Sequence, residues 1–167
     1  MLQTADERQL DALRVLLVDD HDLFRTGLRN LLEEQGVTVV GEAATGAEAV
    51  RHVRELTPDV VVMDLNMPGM GGVEATRHVV GVSPLTRVVV LTISDQDSDV
   101  LDAILAGACG YLLKDASIQD LVAGITSAAR GESLISPHIA AKVLQRVRAT
   151  SAQPDIAETI RSELSDR

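Results

Sequence analysis

Five polar residues stand where short apolar runs of the sequence end, and their chemistry fits the transfer of a phosphoryl group. They are Asp19, Asp20, Asp64, Thr92 and Lys114. Three crowded carboxylates repel one another unless a cation neutralises them, and Mg²⁺ prefers oxygen ligands. An ionised carboxylate can attack phosphorus to give an acyl phosphate, while a hydroxyl and an ammonium stabilise the oxygens of the transferred group. The set predicts a phosphoryl-transfer site around a divalent cation, with Asp64 as nucleophile.

The five residues can act together only if the fold brings them to one place. Short runs rich in Val, Leu and Ile alternate with longer segments of helical periodicity, which indicates alternating strands and helices. The predicted strands are 15–18, 37–40, 60–63, 88–91 and 111–113, and the predicted helices are about 23–32, 47–56, 73–80, 100–105 and 118–130. We therefore expect an α/β fold with a doubly wound parallel sheet and helices on both faces. Ligands of such sheets bind at the carboxyl ends of the strands, where all five residues would lie.

Each residue also has a structural interpretation when it is taken alone. An Asp at a strand end is often a turn former or helix cap, Thr92 could simply be a β-branched strand residue, and a lone lysine is usually solvated. Lys114 is, however, one of only two lysines in the chain. Their joint placement at successive strand ends favours the functional interpretation. For His21, beside the acids, we expect local packing or hydrogen bonding at a helix start rather than metal ligation.

Composition excludes several classes of function. The 167 residues are 46% hydrophobic and 24% charged, as in an ordinary globular protein. The net charge of -10 opposes binding to nucleic-acid phosphates. No run of about 18 apolar residues predicts a membrane span, and the polar N-terminus is unlike a secretory leader. A single cysteine, Cys109, fits a reducing compartment, so we expect a cytoplasmic protein.

A further helix is predicted after the five-fold repeat ends at Gly131. Ser136 and Pro137 are typical of a helix start, and an apolar stripe follows. From Thr150 the chain is polar and contains Pro154, which predicts a flexible segment. The expected organisation is an N-terminal tail at 1–13, a compact domain at 14–131, a linker helix at 132–150 and a flexible linker at 151–167.

Four blocks of the sequence, in order, resemble the receiver domain of NarL/FixJ-family two-component response regulators. They are VLLVDDHDLFRTGLRNLL, VVVMDLNMPGMGGVEA, VVVLT and GACGYLLKDAS. The resemblance implies the flavodoxin-like strand order 2-1-3-4-5. It also implies that Asp64 accepts a phosphoryl group from a sensor histidine kinase.

The same resemblance assigns roles to the other site residues. Asp19 and Asp20, with Asp64 and the backbone carbonyl of Asn66, would hold Mg²⁺. Thr92 and Lys114 would contact the phosphoryl group. Thr92 and Tyr111 would form the switch that changes the surface after phosphorylation.

The family also implies an output. A linker of this kind leads to a LuxR-type helix-turn-helix domain, and residues 164–167 resemble its opening. We expect the longer natural protein to bind DNA only through that domain, to form a homodimer on phosphorylation, and to have no membrane partner. The chain itself would be a regulatory phosphoacceptor rather than an enzyme.

Two alternative functions fit part of the sequence. A haloacid-dehalogenase-type phosphatase would use Asp20 as nucleophile with Asp22 two residues later, but the flanking blocks fit a receiver better. A degenerate receiver that serves only as a binding module would lack part of the site, whereas all five residues are present.

Overall fold

The computed structural model describes residues 13–95 and 98–151. The predicted N-terminal tail up to residue 12, and the predicted flexible linker with its helix-turn-helix opening from residue 152, lie outside the described residues.

Strands and helices alternate along the described chain, as the apolar periodicity predicts. The strands are β1 (Arg14–Val18), β2 (Thr38–Ala43), β3 (Val60–Asp64), β4 (Arg87–Thr92) and β5 (Gly110–Leu113). The helices are α1 (Asp22–Glu34), α2 (Gly46–Leu56), α3 (Gly72–Val82), α4 (Ser98–Leu105), α5 (Ile118–Ala129) and α6 (Pro137–Ser151). Local caps fix two helix starts, because the side chains of Thr45 and Ser117 accept hydrogen bonds from the amides of Glu48 and Asp120.

The five strands form one parallel sheet in the order β2-β1-β3-β4-β5, which confirms the predicted topology. Helices α1 and α5 pack on one face, and α2, α3 and α4 pack on the other. Alternate strand residues therefore enter two different cores. Val15, Leu17, Val60, Val62 and Val89 belong to the core under α1 and α5, together with Leu32 and Ile125 of those helices. Burial on both faces explains why the strands read as continuous apolar runs.

Strand β2 is longer than predicted and is irregular. The apolar run ends at Val40, but the strand continues through Gly41 and Glu42 to Ala43. Gly and Glu are poor strand formers, so their composition hid this extension. The pairing with β1 shifts by one residue between Val15 and Leu16, which marks a β-bulge.

The segment after α5 returns along the edge of β5. The amide of Leu134 donates to the carbonyl of Cys109, and the amide of Tyr111 donates to the carbonyl of Leu134. The approach requires glycine at position 110, because a Cβ there would lie 2.3 Å from the Leu134 carbonyl oxygen. The otherwise open edge of the sheet is thereby paired at this point.

The chain divides into two compact units at Ile135 and Ser136. The second unit contains α6, and it begins as predicted, because the Ser136 hydroxyl accepts a hydrogen bond from the Ile139 amide at 3.3 Å. Across the described residues, no helix combines the length and apolar character needed to cross a bilayer.

Candidate functional site

Three buried or partly buried carboxylates meet at the carboxyl ends of β1 and β3. Asp19 and Asp20 directly follow β1, and Asp64 is the last residue of β3. The two strands are adjacent and parallel, so their ends bring the acids together. Ligand atoms of Asp19, Asp20, Asp64 and the neighbouring His21 all lie within 4.8 Å of one another. The structure thus unites the three acids that the sequence placed at the ends of two different strands.

Lys114 extends from the end of β5 into this acidic cluster. Its Nζ lies 3.1 Å from Asp64 Oδ1 and 3.4 Å from Asp19 Oδ2. The amide of Lys114 donates to the carbonyl of Thr92 at 2.8 Å, which fixes the residue against β4. Its ammonium also lies 5.0 Å from the centre of the Phe24 ring, within range of a cation–π contact. Lys114 is therefore held at the site and is not a freely solvated surface lysine.

Burial and the contact with Lys114 have opposite effects on the pKa of Asp64. Burial raises the pKa of the Asp64 carboxyl above its ordinary value, and the charge of Asp19 adds to this, although the hydrogen bond from Lys114 opposes both. Burial also works to lower the pKa of Lys114, but its contacts with Asp64 and Asp19 raise it overall. Both directions follow from two acids that share one ammonium: Lys114 faces two carboxylates, which favours its charged form, whereas the buried Asp64 has one cation and one like charge nearby.

The other predicted site residues, Thr92, Asn66 and Tyr111, lie in different settings. Thr92 is fully buried at the end of β4, and its hydroxyl donates to the carbonyl of Ser94 at 3.0 Å. Asn66 follows β3, and its amide donates to Asp64 Oδ1 at 3.2 Å while its side chain is exposed. Tyr111 is half-buried in β5, opposite Val90 of β4. Metal binding by the Asn66 carbonyl and switching by Tyr111 stay predictions.

His21 makes local contacts at the start of α1. Its amide donates to Asp19 Oδ1 at 2.8 Å, and its Nδ1 lies 3.2 Å from Asp19 Oδ1 and 3.3 Å from Asp20 Oδ1. Asp22, the second acid required by the phosphatase alternative, is 84% exposed and pairs with Arg25. Asp22 therefore does not join the carboxylate cluster, and this geometry disfavours that alternative.

Two residues near the site were missed by sequence reasoning. Arg25 of α1 donates to the backbone carbonyl of Asp19, and it also binds Glu42 of β2. Glu42 lay outside the predicted second strand, and nothing in the local sequence paired it with an arginine 17 residues away. An Arg on a predicted helix is usually solvated, so only the tertiary structure reveals this contact.

The acidic cluster fits a hard divalent cation. Among the described residues, three of its buried carboxylate oxygens have no hydrogen-bond partner. Asp19 Oδ2 and Asp20 Oδ1 have only the longer contacts from Lys114 and His21, at 3.4 and 3.3 Å, and Asp64 Oδ2 has no such contact. Buried polar atoms are normally paired, and carboxylate oxygens are the ligands that Mg²⁺ takes, usually only one or two of them beside water and phosphate oxygens. The donor set therefore suits Mg²⁺ better than a metal that needs several nitrogen or sulfur ligands.

Comparison with known proteins defines the family. A family model for the response regulator receiver domain matches residues 15–126. The chain is 42% identical over 156 residues to the response regulator GacA of Pseudomonas viridiflava, a match that covers 93% of this chain and 71% of GacA. It is 38% identical over 156 residues to the response regulator UvrY of Escherichia coli strain K12, covering 93% of this chain and 70% of UvrY.

Solved structures agree with this relationship. A LuxR-family two-component response regulator from Aurantimonas sp. SI85-9A1 is 42% identical, with a TM-score of 0.71 over 80% of this chain and 96% of that one. The signal receiver domain of NarL from Mycobacterium tuberculosis is 37% identical, with a TM-score of 0.68 over 72% of this chain and 98% of that one. The chain belongs to the response regulator receiver domains, which are regulatory phosphoacceptors, and the predicted resemblance to the NarL/FixJ family is confirmed.

Proposed function

We propose that Asp64 accepts a phosphoryl group from a sensor histidine kinase in a Mg²⁺-dependent reaction. The observation that carries the proposal is the difference between the surroundings of the two Asp64 carboxylate oxygens. One of its oxygens faces Lys114 at 3.1 Å, while the other is buried and has no hydrogen-bond partner within the described chain. An oxygen in this position is available for attack on phosphorus.

The bond changes balance without a further reactant. Asp64 Oδ2 forms a bond to phosphorus as the bond between phosphorus and the donor breaks. The donor atom is the histidine nitrogen of a kinase or the acetate oxygen of acetyl phosphate. The leaving group keeps the electron pair of the broken bond. Lys114 and the hydroxyl of Thr92 stabilise the phosphoryl oxygens by charge and hydrogen bonding.

Mg²⁺, when bound, would neutralise the crowded carboxylates and the charge that develops on the phosphoryl oxygens. Asp19, Asp20 and Asp64 would hold it through their carboxylates, and Asn66 through its backbone carbonyl. The buried oxygens of Asp19 and Asp20 that lack a hydrogen-bond partner among the described residues support the role of these two acids.

The proposed output is a change of the surface formed by α4, β5 and α5. Phosphorylation would draw the Thr92 hydroxyl away from the Ser94 carbonyl that it now contacts at 3.0 Å, and the ring of Tyr111 would fill the vacated space. Residues 14–131 would form the receiver, and the linker predicted at 132–150 would be helical from Pro137, where α6 begins. The altered surface would promote a homodimer and control a helix-turn-helix DNA-binding domain that follows residues 151–167.

Phosphorylation by acetyl phosphate and Mg²⁺, followed by intact mass measurement, tests the central claim. The wild type should gain one phosphoryl group, and Asp64→Asn should gain none. Asp22→Asn is the matched control, because Asp22 is exposed and outside the cluster, and it should be labelled like the wild type. Undiminished labelling of Asp64→Asn would contradict the assignment. Loss of labelling in Asp22→Asn with retention in Asp64→Asn would favour the phosphatase alternative.

A further inference from the structure

We propose that Arg25 is a positioning residue for the metal site: it fixes the backbone that carries Asp19 and Asp20, and Glu42 holds Arg25 in place. The inference rests on the proposed function, because the acids that Arg25 positions are those assigned to Mg²⁺. Neither Arg25 nor Glu42 touches the reacting atoms in this arrangement. Their effect would act through the geometry of the two acids.

The guanidinium of Arg25 joins three parts of the fold through three different nitrogens. Nη1 donates to the carbonyl of Asp19 at 2.5 Å, Nε donates to Glu42 Oε1 at 2.9 Å, and Nη2 donates to Asp22 Oδ1 at 2.7 Å. The planar fork of an arginine suits such a junction, whereas a lysine offers one compact charge. The side chain is only 14% exposed, although Arg25 lies in the first turns of a surface helix.

The backbone of Asp19 is consequently held from both sides. Its amide donates to the carbonyl of Ala43 in β2 at 3.0 Å, and its carbonyl accepts from Arg25. The next two residues turn sharply into α1, so the directions of the Asp19 and Asp20 carboxylates depend on this peptide group. Residues that orient metal ligands through a second layer of hydrogen bonds commonly affect metal affinity.

The β-bulge in β2 explains why Glu42 is available to Arg25. Leu17 faces the core under α1, and its partner across the strands is Glu42. Val39, opposite Val15, faces the same core. Regular alternation after Val39 would turn Gly41 toward α1, but the extra residue at the bulge turns Glu42 there instead. The irregularity thus presents a carboxylate to α1.

The charge balance of the junction keeps Arg25 from competing with a cation. Its positive charge is shared by Glu42 and Asp22, and it reaches Asp19 through a neutral carbonyl and not through the carboxylate. Arg29 Nη1 donates to the other oxygen of Glu42 at 2.8 Å, separately from the bond that Arg25 makes to this carboxylate. Hydrogen bonds from Arg29 and Arg25 hold the pKa of Glu42 below its ordinary value despite burial, so the carboxylate stays charged. Arg25 therefore orders the backbone of Asp19 and Asp20 without neutralising the carboxylates that would bind the metal.

A comparison of two arginine variants separates positioning from general stabilisation. Arg29 is the matched control for Arg25, because it lies one turn further along α1 and binds the same glutamate. In the described part of the chain its hydrogen bonds go to Glu33 and Glu42 and not to Asp19. Calorimetric titration with Mg²⁺ should give roughly tenfold weaker binding for Arg25→Gln. Binding by Arg29→Gln should stay within about twofold of the wild type, because Arg25 keeps its own hydrogen bonds to Asp19, Glu42 and Asp22 in that variant.

Two further readouts distinguish a positioning role from a loss of fold. Hydrogen exchange of the His21 amide, which donates to Asp19 Oδ1 at 2.8 Å, should accelerate in metal-free Arg25→Gln and not in Arg29→Gln. Arg25→Gln should be labelled by acetyl phosphate more slowly than the wild type at low Mg²⁺. At saturating Mg²⁺ its labelling rate should return close to that of the wild type. If Arg25→Gln fails to fold, Glu42→Gln takes its place, since it leaves Arg25 intact and removes the charge that orients it.

The proposal is overturned if Arg25→Gln binds Mg²⁺ as tightly as the wild type, or if both arginine variants lose affinity equally. It is also overturned if saturating Mg²⁺ fails to restore labelling in folded Arg25→Gln. Absence of labelling in the wild type would instead refute the proposed function, and the metal titration would still decide the role of Arg25.

Discussion

Lys114 Nζ lies 3.1 Å from one oxygen of Asp64, and the other oxygen of that carboxylate is buried without a hydrogen-bond partner in residues 13–95 and 98–151. The ammonium therefore holds Asp64 in one orientation and leaves a second oxygen for chemistry. Because it also lies 3.4 Å from Asp19, Lys114 offsets part of the repulsion between the two acids. A phosphoryl group on Asp64 would meet the same ammonium.

Replacing Lys114 should slow phosphorylation strongly. Lys114→Gln removes a charge-assisted donor to the phosphoryl oxygens, and loss of one such donor commonly costs about a hundredfold in rate. The measurement is the initial rate of labelling by acetyl phosphate at saturating Mg²⁺. Lys142→Gln is the matched control, because Lys142 is the second of the two lysines and lies on α6. A rate in Lys114→Gln equal to that of Lys142→Gln would remove Lys114 from the site.

Asp64→Asn should stabilise the metal-free protein at neutral pH. The pKa of Asp64 is raised in the fold, chiefly by burial. Ionisation of Asp64 therefore destabilises the folded wild type. The stability of the wild type is greatest below the unfolded pKa of about 3.9, and it falls as the pH rises through the folded pKa. The asparagine variant should be more stable than the wild type at pH 7, because it removes a buried negative charge and the repulsion of that charge by Asp19.

Thermal unfolding with and without Mg²⁺ checks this prediction. The difference between Asp64→Asn and the wild type should vanish near pH 3 and should shrink when Mg²⁺ is added at pH 7, because the cation relieves the wild type. A variant that is less stable than the wild type at pH 7 without metal would contradict the argument.

The fold was largely predictable because the strands, apart from the second half of β2, are apolar and alternate with segments of helical periodicity. The strand ends also identified Asp19, Asp64, Thr92 and Lys114, since parallel strands bring their carboxyl ends to one edge. The contact between Arg25 and Glu42 could not be predicted in the same way. It depends on a one-residue bulge, which reverses side-chain alternation and leaves no periodic signal in the sequence.

Glu42 should contribute to stability at neutral pH and not in acid. The hydrogen bond from Arg29, followed by that from Arg25, lowers the pKa of Glu42. Its stabilisation is therefore present above the unfolded pKa of about 4.3 and is lost as the pH falls through the lower folded pKa. Glu42→Gln should be less stable than the wild type at pH 7, and denaturant unfolding should show the two converging below about pH 4. A constant difference across this range would indicate a packing defect and not a lost charge.

Tyr111 should transmit phosphorylation without taking part in it. Tyr111→Ala should be labelled on Asp64 like the wild type, but the change in self-association on phosphorylation should be reduced, because no ring can occupy the space beside Thr92. Tyr111→Phe retains the ring and is the matched control. Analytical ultracentrifugation of labelled and unlabelled protein measures the effect. An equal shift in the alanine variant and the wild type would exclude Tyr111 as the relay.

Gly72 should be required for the position of Asp64, although it carries no chemistry. It begins α3, and a Cβ at this position would lie 2.3 Å from the carbonyl oxygen of Asp64 and 2.7 Å from the Cα of Leu65. Both contacts are with backbone, so α3 or the end of β3 must shift. Gly72→Ala should lower the free energy of unfolding by about 1–3 kcal/mol, as overpacked sites do. It should also slow labelling of Asp64, because the nucleophile moves with its backbone.

Gly81 provides the matched control in the same helix. A Cβ at Gly81 would have no neighbour within 4 Å, so Gly81→Ala adds the same methyl group without a clash. It should be neutral or should raise stability by about 0.5–1 kcal/mol, because alanine loses less conformational entropy in a helix. Its labelling by acetyl phosphate should match that of the wild type. If both alanine variants behave alike in unfolding and in labelling, the close approach at Gly72 does not position Asp64.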